Sequence, residues 1–404
     1  MADVDWSYKL RIGLKRFPPL HRPARWLNRV AWAAIKRTGI DLTRWFSPAS
    51  PQWGPPKGTF AILPDLRAGK ITGRVVLEDQ GQPKLAPDSL LVACKLNQHG
   101  EQPWPVLWSR HSEARLTGPS LALMNERKQL ASESLYGPGF LKDDPSYNTL
   151  RLPPALRLEG SWTSLASRWT PNSGVPTFSH WILDALPRLA VLDEFPPDTR
   201  ILVPAALAGY QKESLKLLGL LDRVRYTPEQ HLVVENYYFS SPTTMVSCHN
   251  PYGVGFLRRA FLPKADMAYA GAKKIFIQRK GKNRGIQNDA EVTDYFRRLG
   301  WAIIDTEKLT FAQEIKLFSE AEAVAGILGS GFTNCLWSPP GCKVITFVAG
   351  NWLDGWVEWI CDVNRLDYHY AIFPADHALM ARVDLPTVKK LLAAAGLPVS
   401  APTV

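Results

Sequence analysis

The five cysteines, Cys94, Cys248, Cys335, Cys342 and Cys361, include no C-x-x-C pair. That spacing and the odd count argue against a structural zinc site and a disulfide framework, and fit a reducing compartment. No apolar run approaches the ~20 residues a spanning helix needs. The opening Met1-Ala2-Asp3-Val4-Asp5 is acidic, without the basic-then-apolar order of a secretory leader. We therefore expect a cytoplasmic protein, soluble or peripheral at the inner face of the cell membrane. Also missing is a G-x-G-x-x-G after an early strand with an acidic residue about 20 positions on, which counts against a dinucleotide-dependent oxidoreductase.

What is present is ordinary globular usage, 46% hydrophobic and 21% charged, over 404 residues. That length exceeds one ordinary core, so two domains of roughly 150 residues each are expected. The net charge of +11 calls for an acidic partner without choosing among phosphate, anionic lipid and nucleic acid. Much of it lies near the start, where Lys9, Arg11, Lys15, Arg16, Arg22, Arg25, Arg29, Lys36, Arg37 and Arg44 alternate with Trp6, Trp26, Trp32, Trp45 and Phe46. Such interleaving suits an anionic bilayer interface; it equally suits a helical arm packed on its own domain. Nucleic acid is disfavoured, because no reading motif accompanies the charge. A Pro, Ser and Gly-rich linker follows over 47–57, so residues 1–57 form arm and linker.

Residues 58–150 carry short apolar segments between turns and say little. Arg200-Ile201-Leu202-Val203-Pro204 reads as a buried strand, followed by a helix near 211–218 and a strand near 237–239. Beyond Pro263 the alternation is clearer. Strands are predicted at 274–277, 301–304, 323–328 and 344–347. Between them come a helix capped by Asn288, a helix opened by Thr310 with Gln313 at the capping-box position, and a short helix after Gly329-Ser330-Gly331. This pattern predicts a parallel sheet.

In a doubly wound sheet, ligands bind beyond the carboxyl ends of the strands, so the loops after Ile277 and Leu328 should share one crevice. The first, Gln278-Arg279-Lys280-Gly281-Lys282-Asn283-Arg284, offers guanidinium forks for phosphate oxygens, or is a solvated basic loop. The second, Gly329-Ser330-Gly331-Phe332-Thr333-Asn334, lets backbone N–H groups approach an anion at a helix start, or needs glycine for geometry alone. A third constellation is Ser179-His180-Trp181-Ile182-Leu183-Asp184-Ala185-Leu186-Pro187-Arg188-Leu189. His180 and Asp184, four apart, share a helical face where a carboxylate can orient an imidazole. The bland alternative pairs Asp184 with Arg188 and leaves His180 as core.

The Ser179–Leu189 stretch resembles the HWxxDxLPR signature of glycosyltransferase family 61, which includes plant xylosyl- and arabinosyltransferases, animal O-linked GlcNAc transferases and bacterial polysaccharide enzymes. Ile277-Gln278-Arg279 with Arg284 and Asn288-Asp289-Ala290-Glu291-Val292 resembles its (S)R…R…NE.EV block. Phe311-Ala312-Gln313-Glu314-Ile315, residues 326–334 and Pro340-Gly341 resemble its F.EQI…GxHGAGLTN…PG block. The likeness spans about 162–370. It departs at Leu328, where the family block carries histidine, and at Ser330, which replaces alanine.

The resemblance implies an α/β, GT-B-like fold: two Rossmann-like domains facing a cleft, here an acceptor domain at 58–262 and a donor domain at 263–385, preceded by the basic arm and followed by a C-terminal helix and tail at 386–404. It implies an inverting transfer from a nucleotide-sugar donor to a glycan or lipid-linked glycan acceptor, in cell-surface polysaccharide biosynthesis. Arg279, Arg284, Asn288, Gly329, Ser330, Gly331, Thr333 and Asn334 would bind donor, and His180 or Asp184 would be the base. An ordinary carboxylate near pKa ~3.9 needs desolvation to act as a base, whereas an imidazole near ~6.5 does not. The one Asp-x-Asp, Asp3-Val4-Asp5, is far from any strand, so no metal or other cofactor is expected. The alternative is an inactive member that binds nucleotide sugar or glycan and organises a complex.

Overall fold

A computed structural model describes residues 56–77, 89–90, 105–135, 141, 144, 146–147, 152–167, 177–245, 248–281 and 283–400. The basic and aromatic arm, with almost all of its linker, lies outside the described residues.

The first sheet contains β1 (Gly58–Phe60), β2 (Thr72–Leu77), β3 (Val106–Thr117), β4 (Ala122–Met124), β5 (Gln129–Ala131), β6 (Leu156–Ser164), β7 (Arg200–Pro204), β8 (Val224–Thr227) and β9 (His231–Ser240). Its order is β1-β5-β4-β3-β9-β6-β7-β8, with β2 on β3. Strands β9, β6, β7 and β8 run parallel, as the alternation over 200–239 predicts. Strand β3 is antiparallel to β2, β4 and β9. This half is therefore a mixed sheet rather than a fully Rossmann-like one. The connections 118–121 and 125–128 are far too short for the dozen or more residues that a parallel crossover requires. Helix α1 (Ile62–Arg67) covers its outer face, and α2 (Gly209–Leu217) joins β7 to β8.

The second sheet is the clean case. After a small ribbon of β10 (Thr244–Met245) and β11 (Cys248–His249) and helix α3 (Pro251–Phe261) come β12 (Lys274–Ile277), α4 (Asp289–Arg298), β13 (Ala302–Ile304), α5 (Phe311–Ser319), β14 (Ala323–Ile327), β15 (Lys343–Ala349), α6 (Trp356–Asn364), β16 (Asp367–Phe373) and α7 (Leu385–Ala394). The order β13-β12-β14-β15-β16 is parallel throughout. The chain passes from β12 outward to β13, then back across to β14. The topological switch point, where such sheets bind ligands, therefore lies between β12 and β14.

Period-two side-chain alternation divides this sheet's faces. Phe276, Ala325, Ile345 and Phe347 pack outward with Val292 and Phe296 of α4 and Val388 and Leu392 of α7. Ile275, Ile277, Val324, Val344 and Val348 face inward, into one cluster with Trp181, Leu186, Val203, Leu257, Phe261 and Phe311. The two halves thus share a continuous core on either side of position 262. Among the described residues no helix is long and apolar enough to cross a membrane.

Candidate functional site

Strands β12, β13 and β14 end side by side, with Ile277 opposite both Ile304 and Gly326. The loops after Ile277 and Ile327 therefore open on one edge. Gly326 has φ 157°, and a Cβ there would fall 2.8 Å from the Ile277 carbonyl oxygen, so only glycine permits this strand spacing. Leu328 is 1% exposed, donates its N–H to Phe347 O at 2.9 Å and packs in the shared core. Aliphatic core thus stands where the family block has an imidazole.

Gly329 is extended, with φ −178°. A Cβ on it would collide with Arg279 Nη1, so the guanidinium lies directly on the glycine turn. Gly331 is close-packed but less tight, with a would-be Cβ 3.1 Å from Ile277 Cγ2. Ser330 opens the short helix Ser330–Trp337 and is half-buried. Arg284 has a left-handed φ of 56°. Its N–H donates to Ala378 O at 3.0 Å, and its guanidinium carbon sits 4.3 Å from the Trp352 ring centre. Burial pushes the Arg279 guanidinium below its ordinary pKa, the Arg284 charge adds to this, and Glu307 opposes it. Two cations crowded on a half-dry rim favour an anion between them.

Three other residues expected at the donor do structural work. Asn288 sits at the start of α4 without capping it through its side chain. Its amide donates to Val383 O and Glu291 Oε2, both at 2.8 Å, and accepts Val383 N at 3.1 Å, clipping the 381–383 segment onto the sheet edge. Thr333 and Asn334 are fully buried, so they support the turn from behind rather than line its surface. The capping box at Thr310 and Gln313 forms as predicted, with bonds of 3.1 and 3.3 Å.

The HWxxDxLPR-like stretch forms one helical run whose hydrogen bonding changes along it: an α turn at Phe178–His180, a π turn at Trp181–Ala185 and a 3-10 stretch at Leu186–Glu194. Pro187 has no N–H for the helical ladder, and the preceding Leu186 N–H reaches back to Trp181 O, widening the turn. In that turn His180 Nδ1 and Asp184 Oδ2 stand 2.6 Å apart. The Asp184 side chain is 4% exposed and the imidazole 38%, so a buried carboxylate holds a ring whose other face is open. Arg188 does not serve as the local partner that the bland reading assigned to Asp184. It donates to Ser240 O at 3.0 Å and Ala166 O at 2.8 Å, bracing the run on the end of β9 and the segment just after β6. Trp181 is fully buried and donates Nε1–H to Ser214 Oγ at 2.9 Å.

The Phe178–His180 turn packs against the Ser330–Trp337 helix, which begins in the glycine turn. The sequence reading missed His249 on β11. It is buried near His180, its ring meets Trp356 edge-on at 6.5 Å, and its carbonyl accepts Trp359 Nε1 at 2.6 Å. Burial, then the charge of His180, push its pKa down to about 3, so it is neutral. No spacing signal marked it, because a ribbon of two-residue strands has no periodicity to read. Among the described residues no group of three or more His, Cys, Asp or Glu is placed to hold a metal ion.

Residues 178–345 match the family model described as Glycosyltransferase 61. That stretch contains the HWxxDxLPR-like run, both rim arginines and the glycine turn. No curated protein matches the chain.

Proposed function

We propose that this protein is an inverting glycosyltransferase that moves a sugar from a nucleotide-sugar donor to a glycan acceptor in cell-surface polysaccharide biosynthesis. The observation that carries the reading is the 2.6 Å His180–Asp184 contact, on a run packed against the helix that begins in the glycine turn roofed by Arg279. With Nδ1–H donated to Asp184, the His180 Nε2 carries the lone pair that takes the proton. The acceptor hydroxyl loses its proton to Nε2 as its oxygen bonds the anomeric carbon. On the opposite face the bond from that carbon to the phosphate oxygen breaks. The departing diphosphate takes that electron pair, and Arg279, Arg284 and the backbone N–H groups at Gly329-Ser330-Gly331 meet its charge without a metal. This polarity of attack inverts the anomeric centre.

Asp184→Asn should lower kcat at least ~10²-fold while donor affinity and melting temperature persist, the usual scale of general acid–base effects. His180→Gln should lose as much or more and abolish the rise of rate with pH. Near-normal kcat in both variants, with a genuine acceptor, would make the pair scaffold. A second reading, a non-catalytic binder of nucleotide sugar, is favoured by Leu328 filling the core where the family block has histidine. Donor binding without transfer or hydrolysis would select it.

In the same reading, the basic and aromatic arm docks the enzyme on the inner face of an anionic membrane, where a lipid-linked acceptor resides. Each cation near such a surface contributes ~1 kcal/mol. Sedimentation with vesicles rich in phosphatidylserine should be strong for the full chain and weak for a chain starting at Gly58. Equal binding by both would sink the docking role.

A further inference from the structure

The carboxyl ends of β15 and β16 carry two further loops, 350–355 and 374–384. They are stitched together: Gly350 N–H donates to Phe373 O at 2.9 Å, and Asn351 Nδ2 donates to Asp376 O at 2.6 Å. Asp376 also folds its own loop. Its Oδ1 accepts the N–H groups of Ala378 and Met380, both at 2.9 Å, and its Oδ2 faces Gln287 Nε2 at 3.4 Å. A carboxylate that accepts from the backbone two residues on sets a tight turn locally. The same loop then meets the segment after β12, where Ala381 N–H donates to Gly285 O at 2.9 Å and Gln287 N–H to Ala381 O at 2.8 Å.

Arg284 sits where these loops meet. A left-handed backbone is costly for a residue with a side chain, so it persists only where the surroundings impose it. Arg284, with φ 56°, is held twice: its N–H donates to Ala378 O at 3.0 Å, and its guanidinium carbon lies 4.3 Å from the Trp352 ring centre. Both holds trace to Asp376. Ala378 is fixed by the Asp376 carboxylate, and Trp352 follows Asn351, which is bonded to the Asp376 carbonyl. A guanidinium stacked on a ring face keeps its N–H donors directed sideways, where they can still fork onto an anion. Asp376 lies beyond residues 178–345, so the family match does not mark it.

We propose that Asp376 is a positioning residue: by tying the loops 350–355 and 374–384 together, it holds Arg284 in its left-handed turn and on Trp352, ready to take a nucleoside diphosphate. This rests on the reading of the Arg279 and Arg284 rim as a diphosphate cradle. Asp376 works through turn geometry, since Oδ1 alone takes both N–H groups. Asparagine offers the same oxygen and alanine does not. The contact that asparagine would give up, at 3.4 Å, is the longest of the set.

The test is calorimetric titration of uridine diphosphate and guanosine diphosphate into wild type, Arg279→Ala, Arg284→Ala, Asp376→Ala, Asp376→Asn and the double variant Asp376→Ala with Arg284→Ala. For the diphosphate that binds, Arg284→Ala should weaken affinity roughly 10- to 150-fold, the span for hydrogen bonds to charged groups. Asp376→Ala should weaken it at least ~3-fold, and the double variant should bind no more weakly than Arg284→Ala, because effects routed through one contact do not add. Asp376→Asn should bind like wild type. A residue that merely steadied its loop would lower the melting temperature without this coupling to Arg284. Should Asp376→Ala not fold, Asn351→Ala, which cuts only the bond between the loops, reads the same cycle. If Arg284→Ala binds weakly while Asp376→Ala binds like wild type, adds its loss in full to that of Arg284→Ala, or is matched in weakness by Asp376→Asn, the positioning role is wrong and the cradle stands. It is equally wrong if Arg279→Ala binds weakly and Arg284→Ala does not. If both arginine variants bind like wild type, or neither diphosphate binds any form, the cradle is wrong and the proposal falls with it.

Discussion

At Gly329 a missing side chain decides where a charged one lies. The backbone there is extended, which any residue adopts, so alanine would bring no conformational strain. Its Cβ would instead displace the Arg279 guanidinium. Gly329→Ala and Arg279→Ala should therefore each weaken nucleoside-diphosphate binding by roughly 1.5–3 kcal/mol, the range for hydrogen bonds to charged groups. The double variant should lose no more than Arg279→Ala alone, because both act through one contact. Additive losses in a calorimetric double-mutant cycle would show that the glycine serves the ligand independently. At this scale the sequence was partly readable. Arg279 and Gly329 each stood out after a strand, but their contact is a fact of space. Asn288 looked like a ligand group because its partner Val383 is distant in sequence. Glu314, buried in the first turn of α5, was invisible, since nothing in the block around it tells a buried acid from a solvated one.

At the scale of elements, legibility followed periodicity. The parallel strands β12, β14 and β15 were plain because continuous apolar runs between amphipathic helices have few other ways to fold. The capping box at Thr310 was plain because its chemistry is local. Strands β2 to β5 were not, since antiparallel pairing is fixed by short turns and distant register rather than by any one segment's pattern. The π turn at Trp181–Ala185 was equally hidden. The four-residue spacing did bring His180 and Asp184 onto one face, but Pro187 and the altered ladder set how the ring is presented. Glu213 shows the same limit: an ordinary helical acid by sequence, it accepts the Phe311 and Ala312 N–H groups at the start of α5 at 2.8 and 3.1 Å.

For the whole molecule, buried titratable groups shape stability against pH. His249 and His111, pushed by burial to about 3 and about 4, and His231, lowered by burial and by Arg115, are neutral when folded and protonate at about 6.5 when unfolded. Their contribution is present above 6.5 and is lost as pH falls towards the folded values. Glu314, raised to about 8, works in the opposite direction: between its unfolded value of 4.5 and 8 only the folded state holds the proton, so stability declines as pH rises through that window. Each group contributes a slope of about 1.4 kcal/mol per pH unit. Below 6.5 the three imidazoles outweigh Glu314; above it they no longer oppose the fall, which the Glu133 and Asp362 carboxyls, also raised by burial, reinforce in direction. Stability should therefore peak near pH 6.5, and Glu314→Gln should flatten the decline towards pH 8. Chemical denaturation across pH 4–9 checks this, and an unchanged alkaline slope in the variant would contradict it.

The continuous layer joining the two sheets has a mechanical consequence. Swinging one half away from the other would wet Trp181, Ile277, Phe311 and Trp337 together, at a cost of roughly 25 cal/mol for each Å² of apolar surface uncovered. Among the described residues this layer ties the two sheets into one unit. Access to its crevice is left to the short segments at the strand ends, so turnover should be governed by the loops carrying Arg279, Arg284 and Trp352 rather than by lobes opening and closing.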